Sequence, residues 1–223
     1  MSKDMLVVLG GSFNPPTVAH AELARLAVEY AQRLPDVNTA RAAFVPSSGA
    51  YVGRKMAKHG NNAPVFSEKA RLEMLQALSK DLPIVIDASE YGDDGKGHTY
   101  RTMCRVRDNH PGIDCAFLMG ADKLRILPRW RDVEKLLSEF TILVTSRSGD
   151  DPESMIAADP RLFKHRNAFR MVPPLDPSGA DASSTEARRL AANGDKAGLL
   201  RICGLNVAEI VLREMAGMKK ERS

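Results

Sequence analysis

The sequence predicts an α/β protein: a doubly wound, Rossmann-like parallel sheet of five to six strands with helices on both faces. Two observations support this. Short, almost wholly apolar runs recur along the chain, and most are followed by a stretch with helical periodicity. Strands that are apolar throughout are buried on both faces, which is typical of a parallel sheet covered by helices. The crossover connections of such a sheet are expected to be right-handed.

The predicted strands are short and end at glycine, proline or a polar turn, as buried strands do. The first, "MLVVL", runs directly into two glycines, and the sixth, "FRMVP", has the weakest signal. The predicted strand ranges are 5–9, 42–46, 84–89, 114–120, 141–146 and 169–173.

Helices are predicted at 21–34, 67–79, 99–109 and 132–140, between successive strands. In the first two, apolar side chains recur at helical spacing and define a face toward the sheet. The predicted inward residues are Leu23, Leu26, Tyr30 and Leu34 in the first helix and Leu72, Leu75 and Leu78 in the second.

Two further helices are predicted to close the chain. The first begins with a capping box formed by Ser183 and Glu186 and ends at Gly194, and the second covers roughly 206–216. The polar, glycine-rich segments 47–64, 90–98 and 147–154 are predicted to be loops, either substrate loops or mobile surface segments. The whole chain is expected to be a single domain, with a core at about 1–150 and a C-terminal part at about 165–223.

The composition is that of a globular protein, with 43% hydrophobic and 27% charged residues in 223. The net charge of +4 suits small anionic ligands and is too evenly scattered for nucleic acid. Three widely spaced cysteines favour reduced core thiols in a cytoplasmic protein over disulfides or zinc. We expect no signal peptide and no membrane span.

The segment "LGGSFNPPTVAH" (9–20) carries the chemistry of the N-terminal part. Glycines after a strand let backbone amides approach an anion, and the N-terminus of the following helix favours negative charge. The segment has neither the P-loop pattern nor Gly-x-Gly-x-x-Gly. Thr17 and His20 would share one face of the first helical turn, where a hydroxyl and an imidazole could both point at the anion. The alternative is that His20 only caps or packs.

At this point the sequence resembles the nucleotidyltransferase superfamily with the (His/Thr)-x-Gly-His motif, and within it the nicotinate/nicotinamide mononucleotide adenylyltransferases. "GSFNPPTVAH" is similar to their opening signature, with Thr17 where many bacterial members have histidine and Ala19 in place of glycine. The resemblance implies that Gly11, Ser12 and Phe13 bind ATP.

Later blocks extend the resemblance over nearly the whole chain. They are "VPSSGAYVGRKM" (45–56), "HTYRTM" (98–103), "LMGADKLRILPRW" (118–130), "VTSRSG" (144–149) and "ASSTEARRL" (182–190). Arg101 and Ala182 depart from the family pattern. The resemblance implies that the residues binding the mononucleotide are Lys55 (with Arg54 as the alternative), Thr99, Tyr100, Trp130 and Arg147. The remaining ATP-binding residues it implies are Gly120, Asp122, Ser184 and Thr185.

Several of these residues also have a purely structural interpretation. Asp122 could bind a ribose hydroxyl or cap a helix. Trp130 could stack on a pyridine ring or be a partly covered surface aromatic residue. Ser183–Thr185 and Arg188 could bind an anion at a helix start, or form an ordinary capped helix with a solvated arginine.

The resemblance implies adenylyl transfer from ATP to nicotinate or nicotinamide mononucleotide in NAD biosynthesis, with pyrophosphate as the product. His20, Thr17 and Arg188 are the predicted catalytic residues, and Mg²⁺ is expected on the phosphates with no dedicated protein metal site. A phosphate nucleophile is already anionic, so catalysis needs positioning and charge neutralisation rather than a general base. Thr17 and the chain length leave the choice of mononucleotide open, and the oligomeric state is also open.

Two rival functions remain. A sister enzyme, such as a pantetheine-phosphate adenylyltransferase or a cytidylyltransferase, would share the scaffold and use another acceptor. A nucleotide-binding sensor without catalysis would belong to a different functional class, and the pair formed by Thr17 and His20 argues against it. Both rivals can be separated from the favoured function by pyrophosphate release.

Overall fold

The computed structural model describes residues 3–58, 64–92, 98–146, 150–174 and 182–220. Six strands form one parallel sheet in the order β3-β2-β1-β4-β5-β6, with helices on both sides. The predicted fold class is therefore confirmed. The strands are β1 (Lys3–Gly11), β2 (Val37–Pro46), β3 (Ile84–Ile86), β4 (Asp114–Gly120), β5 (Thr141–Thr145) and β6 (Phe169–Val172).

The strand order reverses between β1 and β4, which pair in parallel register from Met5 opposite Asp114 to Val8 opposite Phe117. From β1 the chain first builds one side of the sheet, through β2 and β3, and then returns to build the other. Ligands of such sheets bind beyond the carboxyl ends of the strands at this switch point. The turns that follow β1 and β4 are therefore the places to look for a site.

The described helices include several that the sequence did not predict, among them one inside the segment 47–64, which was expected to be a loop. Gly49 and Gly53 weaken its helical signal, but Val52 and Met56 give it a buried face. The helices are α1 (Val18–Ala31), α2 (Gly49–Lys58), α3 (Glu68–Ser79), α4 (Thr99–Asn109), α5 (Val133–Glu139), α6 (Pro152–Ala158), α7 (Pro160–Lys164), α8 (Ser184–Asn193), α9 (Lys196–Cys203) and α10 (Leu205–Lys220).

The chain divides into two compact units. Unit 1 comprises 1–10, 23–43 and 97–176, and unit 2 comprises 11–22, 44–96 and 177–223. None of the described helices is long and apolar enough to cross a membrane. All three cysteines are free; Cys115 and Cys203 are buried, as expected of core thiols, whereas Cys104 is partly exposed.

Unit 1 contains β4, β5 and β6 and most of β1, whose central residues are buried. The buried face of its helix α1 differs from the prediction. Ala24, Ala27 and Ala31 are buried, whereas the predicted leucines are only partly covered. Alanine is small and a strong helix former, so an alanine stripe lets a helix pack closely, a signal that a search for large apolar side chains misses.

Unit 2 has its own core, in which α3 packs with the C-terminal helices α8, α9 and α10. The buried face of α3 is also shifted from the prediction: Ala70, Arg71, Met74 and Leu75 are buried, and of the three predicted leucines only Leu75 is. This shift turns the charged side chain of Arg71 into the protein.

Candidate active site

The turn after β1 is held from several sides by buried polar groups of unit 2. Asn14 is wholly buried; its Nδ2 donates to the carbonyl of Pro64 (3.0 Å), and its Oδ1 accepts from the backbone N–H of Phe66 (2.8 Å). The Asn14–Pro15 peptide bond is cis. The backbone of this turn is thus fixed by side chains that the sequence brings from distant segments.

Phe13 connects this turn to His20. Its backbone is left-handed (φ 43°), and its buried ring packs against the His20 ring, with centroids 5.1 Å apart, and against Phe44 at 5.2 Å. A Cβ on Gly11 would lie 3.2 Å from Cζ of Phe13. Gly11 therefore leaves room for the aromatic ring that orients the histidine.

The tautomer of His20 follows from its hydrogen bonds. The backbone N–H of Thr17 donates to Nδ1 of His20 at 3.0 Å, and a backbone amide can only donate. Nδ1 is therefore an acceptor, and the neutral imidazole carries its proton on Nε2. Within the described part of the chain, Nε2 has no hydrogen-bond partner. The arrangement leaves an oriented N–H donor at the first turn of α1.

The imidazole is neutral at physiological pH. Burial lowers the pKa of His20 from 6.5 to about 4, because removing the ring from water disfavours its charged form. Positive potential at this helix start comes from backbone amides and nearby arginines, and His20 contributes a directed hydrogen bond.

This pKa predicts a pH dependence of stability. Between pH 6.5 and about 4 the unfolded chain binds a proton at His20 that the folded chain does not. The free energy of unfolding should therefore fall by about 2–3 kcal/mol as the pH drops through that window, with no contribution above it. Denaturant unfolding at a series of pH values measures the effect.

His20→Gln is the control for this pH dependence, because it removes the titrating ring and leaves every carboxylate in place. As the pH falls from 6.5 to about 4, the unfolding free energy of the wild type should decrease relative to that of the variant. A constant difference from pH 7 to pH 4 would contradict the lowered pKa.

The hydroxyl of Thr17 is turned into the protein, which corrects the expectation that it points at a ligand. The side chain is wholly buried. Its Oγ1 donates to the carbonyl of Ala182 and lies 2.8 Å from Nδ1 of His20, a second acceptor within reach of the same proton. Thr17 thus joins the histidine to the segment that begins α8.

The start of α8 is tied to the same turn. Ser183 caps the helix by accepting from the N–H of Glu186 (3.1 Å), as the capping box predicts. Ser184 donates through Oγ to the carbonyl of Pro15 at 2.8 Å. The hydroxyl of Ser184 is therefore used to hold the turn, and the amides of the first helical turn are the groups left to bind an anion.

Arg188 is buried rather than solvated, so the alternative of an ordinary capped helix with an exposed arginine is wrong for this residue. Its Nη1 donates to the carbonyl of Asn14 (2.7 Å) and its Nη2 to Oγ1 of Thr185 (3.2 Å). Its buried Nε has no partner in the described chain. The guanidinium thus braces the turn, and Thr185 orients the guanidinium.

Lys55 reaches the turn from α2. Its Nζ donates to Oγ of Ser12 at 3.4 Å, and its side chain is exposed. In unit 2 the structure brings nine predicted site residues around one turn: Gly11, Ser12, Phe13, Thr17, His20, Lys55, Ser184, Thr185 and Arg188.

In unit 1, Gly120 and Asp122 follow directly on β4. Asp122 lies in a 3₁₀ turn, Ala121–Lys123, where no side chain caps the helix start, so the capping alternative for Asp122 is wrong. Its exposed carboxylate pairs with Nζ of Lys123 at 2.5 Å. The carboxylate remains accessible to a ligand.

Tyr100 and Trp130 also belong to unit 1. The Tyr100 hydroxyl donates to Glu139 (2.8 Å), and its ring faces Nζ of Lys135 at 5.6 Å. The Trp130 ring is partly exposed and packs edge-on against Phe117 at 6.2 Å. Thr99 begins α4 immediately before Tyr100. Arg147 lies outside the described residues.

Comparison with known proteins identifies the family. A family model described as cytidylyltransferase-like matches residues 8–190. A relative from Bacillus cereus is 31% identical over 143 residues, which cover 64% of this chain and 69% of the relative. One from Rhodopirellula baltica is 29% identical over 180 residues, 78% of each chain. Both are named "Probable nicotinate-nucleotide adenylyltransferase".

The chain belongs to the nicotinate-nucleotide adenylyltransferase family. A solved structure, the nicotinic acid mononucleotide adenylyltransferase of Plasmodium falciparum complexed with APC, has a TM-score of 0.64 and covers 95% of this chain and 96% of its own. At 16% sequence identity that likeness shows the fold alone. The matched family region includes both the turn after β1 and the start of α8.

Two residues of this family member's site were missed by the sequence analysis. Asn14 stands inside the quoted motif but was not given a role, although its amide holds the turn. Arg71 was missed because only Leu72, Leu75 and Leu78 were used to define the inward face of α3. A charge flanked by Ala70, Met74 and Leu75 was the signal that could have found it.

The donor set of this family member's site suits phosphate rather than a bare metal ion. The turn presents the imidazole N–H of His20 and the ammonium group of Lys55, both of which can bind anionic oxygens, and buried arginines hold its carbonyl groups. Among the residues that the structure describes, no group of three or more His, Cys, Asp or Glu could hold a metal ion.

Replacing Gly120 should disturb the neighbouring carboxylate. A Cβ at this position would lie 2.5 Å from Oδ1 of Asp122, so Gly120→Ala must displace that side chain. If Asp122 binds the ribose, the KM for ATP should rise about threefold to tenfold with little change in kcat, a loss of roughly 1 kcal/mol. Steady-state kinetics with ATP and with 2′- and 3′-deoxy-ATP measure the effect.

Gly53→Ala is the matched control, because no atom lies within 4 Å of a Cβ at that position. The Gly120→Ala effect should shrink for the deoxy substrate that lacks the hydroxyl bound by Asp122. An equal loss with all three nucleotides would show that the carboxylate does not bind ribose.

Proposed function

We propose that the chain transfers the adenylyl group of ATP to the phosphate of nicotinate mononucleotide and releases pyrophosphate, a step of NAD biosynthesis. The observation that carries this proposal is the oriented Nε2–H of His20 at the start of α1, held beside buried arginines that bind the same turn. Membership of the nicotinate-nucleotide adenylyltransferase family supplies the reaction class.

The residues support a mechanism of positioning and charge neutralisation. A mononucleotide phosphate oxygen attacks the α-phosphorus of ATP, the bond to the β-phosphate oxygen breaks, and pyrophosphate leaves with the electron pair. His20 donates a hydrogen bond from Nε2 to the phosphates as charge builds on the leaving group. Because the nucleophile is already an anion, no side chain has to remove a proton.

The ATP site is proposed to use backbone amides of Gly11, Ser12 and Phe13 and the start of α8. The N-termini of α1 and α8 and the buried arginines favour the triphosphate electrostatically. Mg²⁺ is proposed to enter as part of the substrate, bound by phosphate oxygens and water, because it dehydrates reluctantly. When bound, the metal would add positive charge that neutralises the leaving pyrophosphate.

The mononucleotide is proposed to contact Lys55, Thr99, Tyr100, Trp130 and Arg147. Trp130 has an exposed ring portion suited to stacking on the pyridine. The names of the curated relatives support nicotinate as the preferred base over nicotinamide. Cytoplasmic localisation and the absence of nucleic-acid binding remain predictions.

Pyrophosphate release tests the function directly. The purified chain is assayed with ATP and Mg²⁺ and one acceptor at a time: nicotinate mononucleotide, nicotinamide mononucleotide or phosphopantetheine. A parallel reaction supplies CTP with a phosphorylated alcohol. We expect the highest kcat/KM with nicotinate mononucleotide. Preference for phosphopantetheine or CTP would establish a sister activity, and tight nucleotide binding without turnover would establish a sensor.

A further inference from the structure

Arg71 is a wholly buried arginine beneath the turn after β1. It projects from α3, and its Nη1 donates to the carbonyl of Ser12 at 2.9 Å. Its guanidinium lies 5.3 Å from the centre of the Tyr91 ring. Its Nε and Nη2 are buried and have no hydrogen-bond partner in the part of the chain that the structure describes.

A buried guanidinium without a partner carboxylate is unfavourable, so its presence requires an explanation. Among the described residues no carboxylate forms an ion pair with Arg71. Glu68, one turn earlier on α3, interacts electrostatically with Arg71. Its Oε1 accepts a hydrogen bond from the backbone N–H of Gly49 at 2.5 Å and not from Arg71. Burial lowers the pKa of Arg71 below its ordinary value.

The orientation of the Ser12–Phe13 peptide group indicates how the charge of Arg71 affects the turn. In a trans peptide the C=O and the next N–H point in opposite directions. Because Arg71 holds the carbonyl of Ser12, the N–H of Phe13 is directed away from Arg71. Arg188 holds the carbonyl of Asn14 in the same turn. Two buried cations therefore bind carbonyl oxygens on either side of Phe13.

We propose that Arg71 is a positioning residue for the triphosphate: it fixes the Ser12–Phe13 peptide and supplies a buried positive charge that the bound polyphosphate balances. The inference deepens the proposed function and rests on it for the identity of the triphosphate as part of ATP. It assigns to Arg71 an effect on polyphosphate binding that acts through the turn, without direct contact with the ligand.

Calorimetric titration with inorganic tripolyphosphate tests this proposal without requiring turnover. Arg71→Gln keeps a polar side chain but removes the charge and is too short to reach the Ser12 carbonyl, whereas Arg71→Lys keeps the charge and loses the planar fork. We expect Arg71→Gln to weaken tripolyphosphate binding at least about tenfold and Arg71→Lys to weaken it about threefold or less. Adenosine binding, measured by equilibrium dialysis, should change less than twofold in both.

Lys69→Met is the matched control, because it removes one positive charge from the exposed side of the same helix. It should leave both affinities unchanged. Wild-type affinity for tripolyphosphate in Arg71→Gln, or equal losses for tripolyphosphate and adenosine, would overturn the proposal and leave Arg71 a structural brace. Charge-dependent tripolyphosphate binding in a chain that forms no dinucleotide would overturn the proposed function and uphold this inference.

Discussion

Replacing His20 with alanine should lower kcat for adenylyl transfer by about 100- to 1,000-fold and change the dissociation constant of ATP only a few-fold. Nε2 is an oriented donor whose tautomer is fixed by the Thr17 amide. A donor aimed at charge that develops in the transition state contributes mainly to turnover, and losing one such donor costs about 3–4 kcal/mol of barrier.

Single-turnover measurements with saturating ATP and nicotinate mononucleotide separate chemistry from product release. His20→Gln should retain part of the rate, since its amide nitrogen can lie near the position of Nε2 and still donate toward the phosphates. His165→Ala is the control for loss of a histidine, because His165 pairs with Glu134 within unit 1. A His20→Ala enzyme with near wild-type kcat would show that the imidazole only packs against Phe13.

Much of the fold was predictable because the buried strands are continuous apolar runs. The predicted bounds of β4 and α4 match the structure, and the capping box at Ser183 and the stop at Gly194 bound α8 as expected. These elements have strong local signals: a run of apolar residues between turns, a side-chain cap, or a glycine in the left-handed region.

The helix faces were harder to predict because burial does not follow side-chain size. On α1 the buried stripe is Ala24, Ala27 and Ala31, and on α3 it includes Arg71. Both faces depend on tertiary packing: close helix approach in the first case and a long-range hydrogen bond to Ser12 in the second. The spacing of apolar residues within a helix does not reveal which distant segment that helix packs against.

For the candidate site, the sequence predicted which residues take part but not the directions in which their side chains point. Two separate sequence motifs, and the family resemblance that they carry, predicted Thr17, His20 and Arg188 as catalytic residues, and the structure brings them together around one turn in unit 2. The motifs did not predict that Thr17 and Arg188 point into the protein. Their partners, the carbonyls of Ala182 and Asn14, are backbone atoms that are distant in sequence.

Replacing Arg188 with alanine should damage both stability and catalysis. The change leaves the Asn14 carbonyl and the Thr185 hydroxyl without their donor and opens a cavity, so the free energy of unfolding should fall by about 2–4 kcal/mol. The turn that carries His20 loses a brace, and kcat/KM for ATP should fall at least about 100-fold. Denaturant unfolding and steady-state kinetics measure the two effects.

Arg189→Ala is the matched control, since this neighbouring arginine is exposed and pairs with Glu186 on the same helix. It should change neither quantity appreciably. The double variant with His20→Ala then distinguishes two roles for Arg188. If Arg188 acts by holding the turn that orients His20, its loss should lower kcat little further once His20 is gone. Fully multiplicative losses in kcat would instead show that the guanidinium stabilises the leaving phosphates independently of that turn.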